Sequence, residues 1–328
     1  ILAEPQRTNL VTYSEDFSQS YWTKSGASVT SGFTSPDGTA NAYKMTEDSA
    51  TSVHKISNNS AISNSFQSQS IFIKYDSSQQ FIQTTSSRSI SNYVNFDILN
   101  KTLTNYGTSV GKIVELSSGW LRLEVYHDSS TTAYWHFITS LTASWSESYL
   151  GTGKHLLIFG VQVEAGSYAT SYIPNFGTAA GVTRNQDIFT RDGIGSLINS
   201  TEGVLFVEMA FSDDGRLAIL NLDASDDQVV LGFSGSVFCR IRENGTNIVT
   251  QFVSSANQLN TYYKIAIKYK SGSSAIWVDG SETVFAGTFT LNDLSKILFI
   301  SEGSRTYGKV KQLQIYKTTD IDLAALTS

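Results

Sequence analysis

The stretch LLIFGVQVEAGSYATSYIPNFGTAAGVTRNQDIFTR, residues 156–191, decides how this chain is organised. It begins as an apolar strand at 156–163 and passes through a turn at Glu164-Ala165-Gly166. Residues 168–174 are predicted to be extended, because the residue before a proline is pushed out of the helical region. The Gly-, Ala- and Thr-rich residues after Asn175 then predict a connection between two β-domains.

This connection sets the predicted domain boundaries. We expect a first domain at 1–176, a linker at 177–190 and a second domain at 191–328. With 328 residues, two domains are a reasonable expectation, and each half is long enough to bury its own core. The absence of an initiator methionine and of a signal peptide at Ile1 predicts a piece of a longer protein.

Composition excludes several classes of protein. The net charge of −6 argues against nucleic-acid binding, which needs clustered Lys and Arg to neutralise phosphates. No apolar run approaches the roughly 20 residues that span a bilayer, so membrane insertion is not expected. The single cysteine, Cys239, excludes an internal disulfide framework and is predicted to be a small buried hydrophobic residue.

The hydrophobic pattern on both sides of the connection is that of strands. Residues 120–126 alternate polar and apolar side chains with the period of two that is typical of a half-buried strand. Turn dipeptides at Asn100-Lys101, Asn244-Gly245 and Asp279-Gly280 predict three hairpins. Only 320–326 favours a short helical turn. The sequence therefore predicts an all-β protein of two tandem β-sandwiches.

Three segments resemble a known kind of protein. The run FGVQVEAGSYATSYIP at 159–174 resembles the closing strand of a carbohydrate-binding-module-like jelly roll found in bacteriophage tail and virion-fibre proteins. Residues 4–10 and 13–17, with Tyr21-Trp22, look like its first strand. The end, 309–328, is similar to the last strand of a concanavalin A/laminin-G-like sandwich in the same proteins. The resemblance implies a jelly roll followed by a concanavalin-like domain.

The resemblance also implies a function. It describes a non-catalytic structural and adhesion module of a virion, the C-terminal part of a tail or capsid fibre that attaches to a bacterial surface glycan or receptor. Its partners would be other virion proteins, and it would assemble as a homotrimer. It would be located on the outside of the particle. The alternative is a non-catalytic carbohydrate-binding region of a secreted bacterial polysaccharide-degrading enzyme. A catalytic domain upstream of Ile1, or a monomer in solution, would favour that alternative.

Motifs for catalysis are missing from the sequence. Glycosidases need two positioned carboxylates, and the Glu-x-Asp-x-Glu strand pattern of concanavalin-like glucanases does not occur. The four histidines have no metal-ligand spacing, and there is no Gly-x-Ser-x-Gly nucleophile elbow. We therefore predict that the chain is not an enzyme.

Glycan binding and calcium binding give the candidate site residues. Sugars stack their apolar C–H faces on aromatic rings, so aromatic residues are the candidate glycan contacts. They are Trp145 and Tyr149 in a polar loop, and Tyr93, Tyr134 and His136 along a sheet face. Jelly rolls of the resembled type often hold one structural Ca²⁺ between their first and last strands, with oxygen ligands. The acidic residues near those strands, and thus the candidate calcium ligands, are Glu15, Asp16, Asp37 and Glu164.

Overall fold

The computed structural model describes most of the chain. The described residues are 2–62, 66–76, 78–85, 92–128, 133–140, 148–187, 190–212, 215–220, 227–298, 300–301, 304–305 and 308–328. Only the backbone is described at 3, 59–62, 66, 127–128, 133–138, 140, 215–220, 300–301 and 304–305.

The described chain is built almost entirely of strands. Up to Arg184 they are β1 Leu2–Ala3, β2 Arg7–Asn9, β3 Thr23–Ser25, β4 Ala27–Phe33, β5 Ala42–Glu47, β6 Thr51–Ser52, β7 Lys55–Ile62, β8 Phe66–Lys74, β9 Phe81–Thr85, β10 Tyr93–Asp97, β11 Thr102–Tyr106, β12 Val110–Glu115, β13 Trp120–Asp128, β14 Ala133–Ser140, β15 Tyr149–Leu150, β16 His155–Ala165 and β17 Val182–Arg184. Beyond it they are β18 Thr190–Arg191, β19 Glu202–Phe211, β20 Gly215–Leu220, β21 Gln228–Phe233, β22 Val237–Glu243, β23 Thr246–Val253, β24 Tyr262–Lys270, β25 Ser274–Val278, β26 Ser281–Phe285, β27 Lys296–Leu298, β28 Ile300–Ser301, β29 Ser304–Arg305 and β30 Gly308–Tyr316.

The first body, Gln6–Asn185, contains two six-stranded antiparallel sheets. Sheet I has the strand order β11-β10-β9-β14-β7-β3, and sheet II has the order β12-β13-β8-β16-β5-β4. One buried apolar cluster joins them, with Ile82 and Phe96 from sheet I and Ile73, Leu123 and Ile158 from sheet II. Residues from both sheets thus form one core, so this body is a β-sandwich.

The second body, Ile1–Pro5 with Gln186–Ser328, is built in the same way. Sheet III has the order β1-β30-β19-β24-β25-β26, and sheet IV has the order β18-β27-β20-β21-β22-β23. Its core combines Val207 and Ile267 of sheet III with Leu231 and Cys239 of sheet IV. The predicted all-β architecture of two tandem sandwiches is confirmed, and Cys239 is fully buried as expected.

The division between the bodies differs from the predicted linker at 177–190. Residues 182–184 form β17, which pairs with β2, and the first body continues to Asn185. Gly181, with φ of +85°, reverses the chain so that this pairing is made. The first residues also depart from the prediction, because β1 pairs with the last strand, β30. A Gly/Ala/Thr-rich composition resembles a linker, but it does not prevent the backbone from pairing in a sheet.

The three predicted hairpins are confirmed as β10–β11, β22–β23 and β25–β26. Lys101, Asn244 and Asp279 have φ of 56°, 46° and 46°, in the left-handed region that tight hairpin turns require. The predicted helical turn is the helix α1 Leu323–Thr327, capped by the Asp322 side chain at the backbone N–H of Ala325. Among the described residues, no helix has both the length and the apolar character needed to cross a bilayer.

The segment after β16 seals the outer face of sheet II. A register shift at 159–162 interrupts the pairing of β16 with β8, and Gly160 has φ of +57° there. Tyr172 then packs against the rings of Phe72 and Phe159. Trp120, 1% exposed, lies in the same cluster. Part of the stretch at 156–191 therefore folds back over the outer face of sheet II in its own body.

Candidate functional site

Cross-strand register assembles an aromatic and amide-rich surface on sheet I. Tyr93 lies opposite Tyr106 on one side and Thr85 on the other, and Thr85 lies opposite position 136. The neighbouring row contains Thr104, Asn95, Gln83 and position 138. Successive strand residues point to opposite faces, and Ile82, Val94 and Phe96 face the core. These rows therefore occupy the other face, which we call the amide–aromatic face.

Contacts within this face are short and specific. The rings of Tyr93 and Tyr106 stack with their centroids 4.2 Å apart and their planes 10° from parallel. The Gln83 Nε2 atom donates a hydrogen bond of 3.1 Å to Asn95 Oδ1. Tyr93, Gln83 and Asn95 are nonetheless buried, whereas Tyr106 is half-buried and Thr104 is exposed. The accessible part of the face is therefore its margin along β11.

The five predicted glycan contacts are distributed unevenly. The register places Tyr93 and His136 in one row, as the sheet-face prediction requires. Tyr134 is also on β14, beside a register irregularity between Ala133 and Trp135, where only the backbone is described. Trp145 lies outside the described residues. The register also brings Tyr106, which was not predicted from the sequence, opposite Tyr93.

Tyr149 has a structural environment that differs from the predicted exposed loop. It is 7% exposed and lies on the short strand β15, with its ring centroid 4.5 Å from that of His54. Its hydroxyl donates to Glu47 Oε2 at 2.5 Å and lies 2.9 Å from the Thr139 hydroxyl. Burial and the adjacent Glu47 carboxylate raise the pKa of Tyr149. The ring is thus fixed in the interior, where it has no open face for a sugar.

The carboxylate of Glu47 is the centre of this buried cluster. It accepts hydrogen bonds from the Tyr149 hydroxyl and from the backbone N–H groups of Thr152 and Lys154. Burial by itself would raise the pKa of Glu47, but these hydrogen bonds outweigh it and lower that pKa. The cluster therefore holds the chain between β15 and β16 against β5.

His54 completes the cluster from the other side. Its imidazole is fully buried, with Nδ1 2.7 Å from the Gly26 carbonyl oxygen and Nε2 3.1 Å from that of Tyr149. Gly151 is tight against the ring, since a Cβ there would lie 2.7 Å from His54 Cε1. Both nitrogens are engaged by backbone, so this histidine connects two loops and is not positioned to act on a substrate.

Two of the four candidate calcium ligands are occupied by protein donors. Glu164 is fully buried and accepts from both the backbone N–H and the hydroxyl of Thr170. Asp16 accepts from Ser18, Gln19 and the Tyr43 hydroxyl, the last at 2.7 Å. Partial burial would raise the pKa of Asp16, but these bonds dominate and lower it to about 2.

Glu15 and Asp37 interact with each other electrostatically but have separate partners. Burial is the largest cause of the raised pKa of Glu15, and the nearby charge of Asp37 adds to it. Glu15 accepts from the Tyr172 hydroxyl at 3.1 Å. Asp37 has its pKa lowered by hydrogen bonds, chiefly that from the Ser35 hydroxyl.

The predicted calcium site does not follow from this arrangement. In the described parts of the chain, no three His, Cys, Asp or Glu side chains group so as to hold a metal ion. Each of the four carboxylates already accepts hydrogen bonds from the protein, as the preceding contacts show. The calcium site therefore stays a prediction of the resemblance, and the structure assigns no ion to these residues.

The thiol of Cys239 offers no nucleophile, because burial raises its pKa to about 12 and the unreactive thiol form persists at neutral pH. The His155 Nε2 atom lies 3.0 Å from Asp76 Oδ2, and both side chains are partly exposed. This pair joins the first residue of β16 to the loop that follows β8. Neither feature has the arrangement of a nucleophile and its base.

Comparisons with known proteins give only distant likeness. No family model and no curated protein matches the chain. Among solved structures, mouse laminin alpha1 domains LG4-5 match with 15% identity over 84% of this chain and 88% of that one, at a TM-score of 0.31. CG-16, a homodimeric agglutinin from chicken liver, matches with 14% identity over 39% of this chain and 99% of that one, at a TM-score of 0.28. Chicken galectin 2 matches with 16% identity over 39% of this chain and 97% of that one, at a TM-score of 0.27.

Proposed function

We propose that this chain is a non-catalytic module of a bacteriophage virion fibre that binds a glycan on the bacterial surface. The observation that carries the glycan part is the margin of the amide–aromatic face along β11, where the half-buried Tyr106 stacks on the buried Tyr93. The virion setting rests on the resemblance of 4–10, 13–17, 21–22, 159–174 and 309–328 to phage fibre proteins. The same resemblance predicts other virion proteins as partners and three copies per assembly.

Physical chemistry favours the margin of this face as the contact. Tyr106 offers a ring that is already fixed by its stack on Tyr93, so little side-chain entropy is lost when a sugar packs on it. Thr104, exposed in the adjacent row, and the backbone of β11 supply hydroxyl and carbonyl groups for sugar hydroxyls.

Binding to an array of bacterial surface polysaccharides tests the proposal. We expect Tyr106→Ala to weaken binding at least tenfold, while the melting temperature stays within a few degrees of the parent value. Tyr262→Ala is the matched control, because Tyr262 is an exposed strand tyrosine of the second body. No binding by the parent chain to any bacterial glycan, or equal binding by the two variants, would contradict the proposal. New reducing or unsaturated ends in the polysaccharide would show an enzyme instead.

A further inference from the structure

The hydrogen-bond partners of the buried His54 ring require a particular protonation state. Nδ1 lies 2.7 Å from the carbonyl oxygen of Gly26, and Nε2 lies 3.1 Å from that of Tyr149. A carbonyl oxygen only accepts hydrogen bonds, so each ring nitrogen must donate one. A neutral imidazole has one N–H group and one bare lone pair, whereas the imidazolium has two N–H groups. Only the charged ring satisfies both contacts.

The ring has no room to turn away from these carbonyl oxygens. His54 is fully buried, and the backbone closes on it at two glycines. A Cβ at Gly26, which has φ of +56°, would lie 2.9 Å from Nδ1, and a Cβ at Gly151 would lie 2.7 Å from Cε1. A neutral ring would therefore set a lone pair against a carbonyl oxygen in the interior, and an unmatched buried polar group costs free energy.

The charges around the ring favour the imidazolium. Asp48 Oδ1, half exposed, lies 3.5 Å from Nδ1. The Tyr149 ring has its centroid 4.5 Å from that of the imidazole, and an aromatic ring attracts a cation at this range. The Tyr149 hydroxyl in turn donates to the carboxylate of Glu47. Thr139, which donates to the His54 carbonyl, adds no charge. Among the described residues, the contacts of the ring thus include an acidic group and no cation.

We propose that the folded chain holds His54 as the imidazolium, and that its second proton is a pH-sensitive link between the turn at Gly26 and β15. The contact with Gly26 is the shorter one, so a neutral ring keeps its remaining proton there. Loss of the second proton then removes the donor to the Tyr149 carbonyl. β15 has two residues and, among the described strands, pairs only with the two residues of β6, so few backbone bonds replace that donor.

The direction of the pH dependence follows from where the proton is held. The unfolded chain releases it near the ordinary imidazole value of about 6.5. The stabilisation that the second proton of His54 gives the folded chain is therefore complete at lower pH and is lost as the pH rises. This is opposite in direction to the response of a carboxylate such as Glu47, which is lost as the pH falls.

Nitrogen-15 NMR of the imidazole rings in the intact chain tests the protonation state. Each ring N–H gives a one-bond nitrogen–proton correlation, and burial slows its exchange with water. We expect two such correlations from His54 at pH 8, where an ordinary histidine is mostly neutral. A single correlation from this ring, or none, would overturn the proposal.

A pair of carboxylate variants tests the charge that supports the second proton. In Asp48→Asn, the second N–H correlation of His54 should disappear at a pH lower by about half a unit or more, the scale of one exposed charge at about 4 Å in water. Asp76→Asn is the matched control, because Asp76 lies beside the other described histidine ring, that of His155. Equal shifts in the two variants, or no shift in Asp48→Asn, would contradict the assignment.

Hydrogen exchange at two amides tests whether the proton links the segments. The Gly151 N–H donates to the Ala50 carbonyl directly after β15, whereas the Val161 N–H donates to the Ser14 carbonyl. We expect the protection factor of Gly151 to fall at least fivefold over the pH range in which the second N–H of His54 disappears, while that of Val161 stays constant. Unchanged protection of Gly151, or an equal loss at Val161, would show that the proton does not act as this link.

Discussion

At the scale of single residues, the Glu47 cluster predicts a specific response to acid. The folded state lowers the pKa of Glu47 below its ordinary value near 4.5, so its stabilising contribution is complete above that pH. The contribution is lost as the pH falls through the lower folded-state value. We expect Glu47→Gln to reduce the free energy of unfolding at pH 7 by about 2 kcal/mol, the scale of a lost charged hydrogen bond, and to flatten the decline between pH 5 and pH 3. Urea unfolding at a series of pH values measures both effects.

Glu15 provides the matched control because its pKa is shifted in the opposite direction, mainly by burial. A carboxyl with a raised pKa binds its proton more tightly in the folded state, so its contribution to stability grows as the pH falls. Glu15→Gln should therefore steepen the decline toward acid where Glu47→Gln flattens it. Two variants with the same slope would contradict the assignment of the two environments.

At the scale of elements, the shift in β16 depends on one glycine. Gly160 has φ of +57°, and a Cβ there would lie 2.9 Å from Phe72 and 3.0 Å from Tyr172. Gly160→Ala therefore meets both an unfavourable backbone conformation and the rings that seal sheet II. We expect a loss of about 2–4 kcal/mol in unfolding free energy, combining roughly 1–2 kcal/mol for the left-handed backbone with an overpacking cost.

Gly153→Ala separates the two causes of that loss. Gly153 also has a positive φ, +78°, but nothing lies within 4 Å of its Cβ position. We expect about 1–2 kcal/mol there, from the backbone alone. If chemical denaturation gives the same loss of unfolding free energy for both variants, the packing of Tyr172 and Phe72 around residue 160 does not contribute to the loss.

At the scale of the whole molecule, each body has its own buried cluster, and this predicts where a core substitution acts. Ile267 of the second body and Ile73 of the first are both fully buried. Each substitution by Ala is expected to cost about 2–5 kcal/mol. Hydrogen exchange should accelerate in the strands of the substituted body. Acceleration of equal size in the other body after either substitution would contradict separate cores.

The elements with local signals could be predicted from the sequence. Alternation at 120–126 and the dipeptides Asn244-Gly245 and Asp279-Gly280 specify strands and tight turns, since both depend on neighbouring residues only. The all-β sandwich follows from many such signals. The sequence also predicts Tyr93, Tyr134 and His136 along a sheet face, because side-chain direction alternates along any strand, and the register puts Tyr93 and position 136 in one row.

Which strands are neighbours follows from the packing of the folded chain and not from local signals. The pairing of β1 with β30, the body boundary after Asn185 and the row that joins Tyr93 to Tyr106 and His136 depend on register between strands, some of them distant in the chain. Burial of Tyr149 likewise depends on Glu47 and His54, which lie far before it in the sequence. Such contacts are set by how two sheets pack their apolar faces together, and no local pattern of residues encodes that choice.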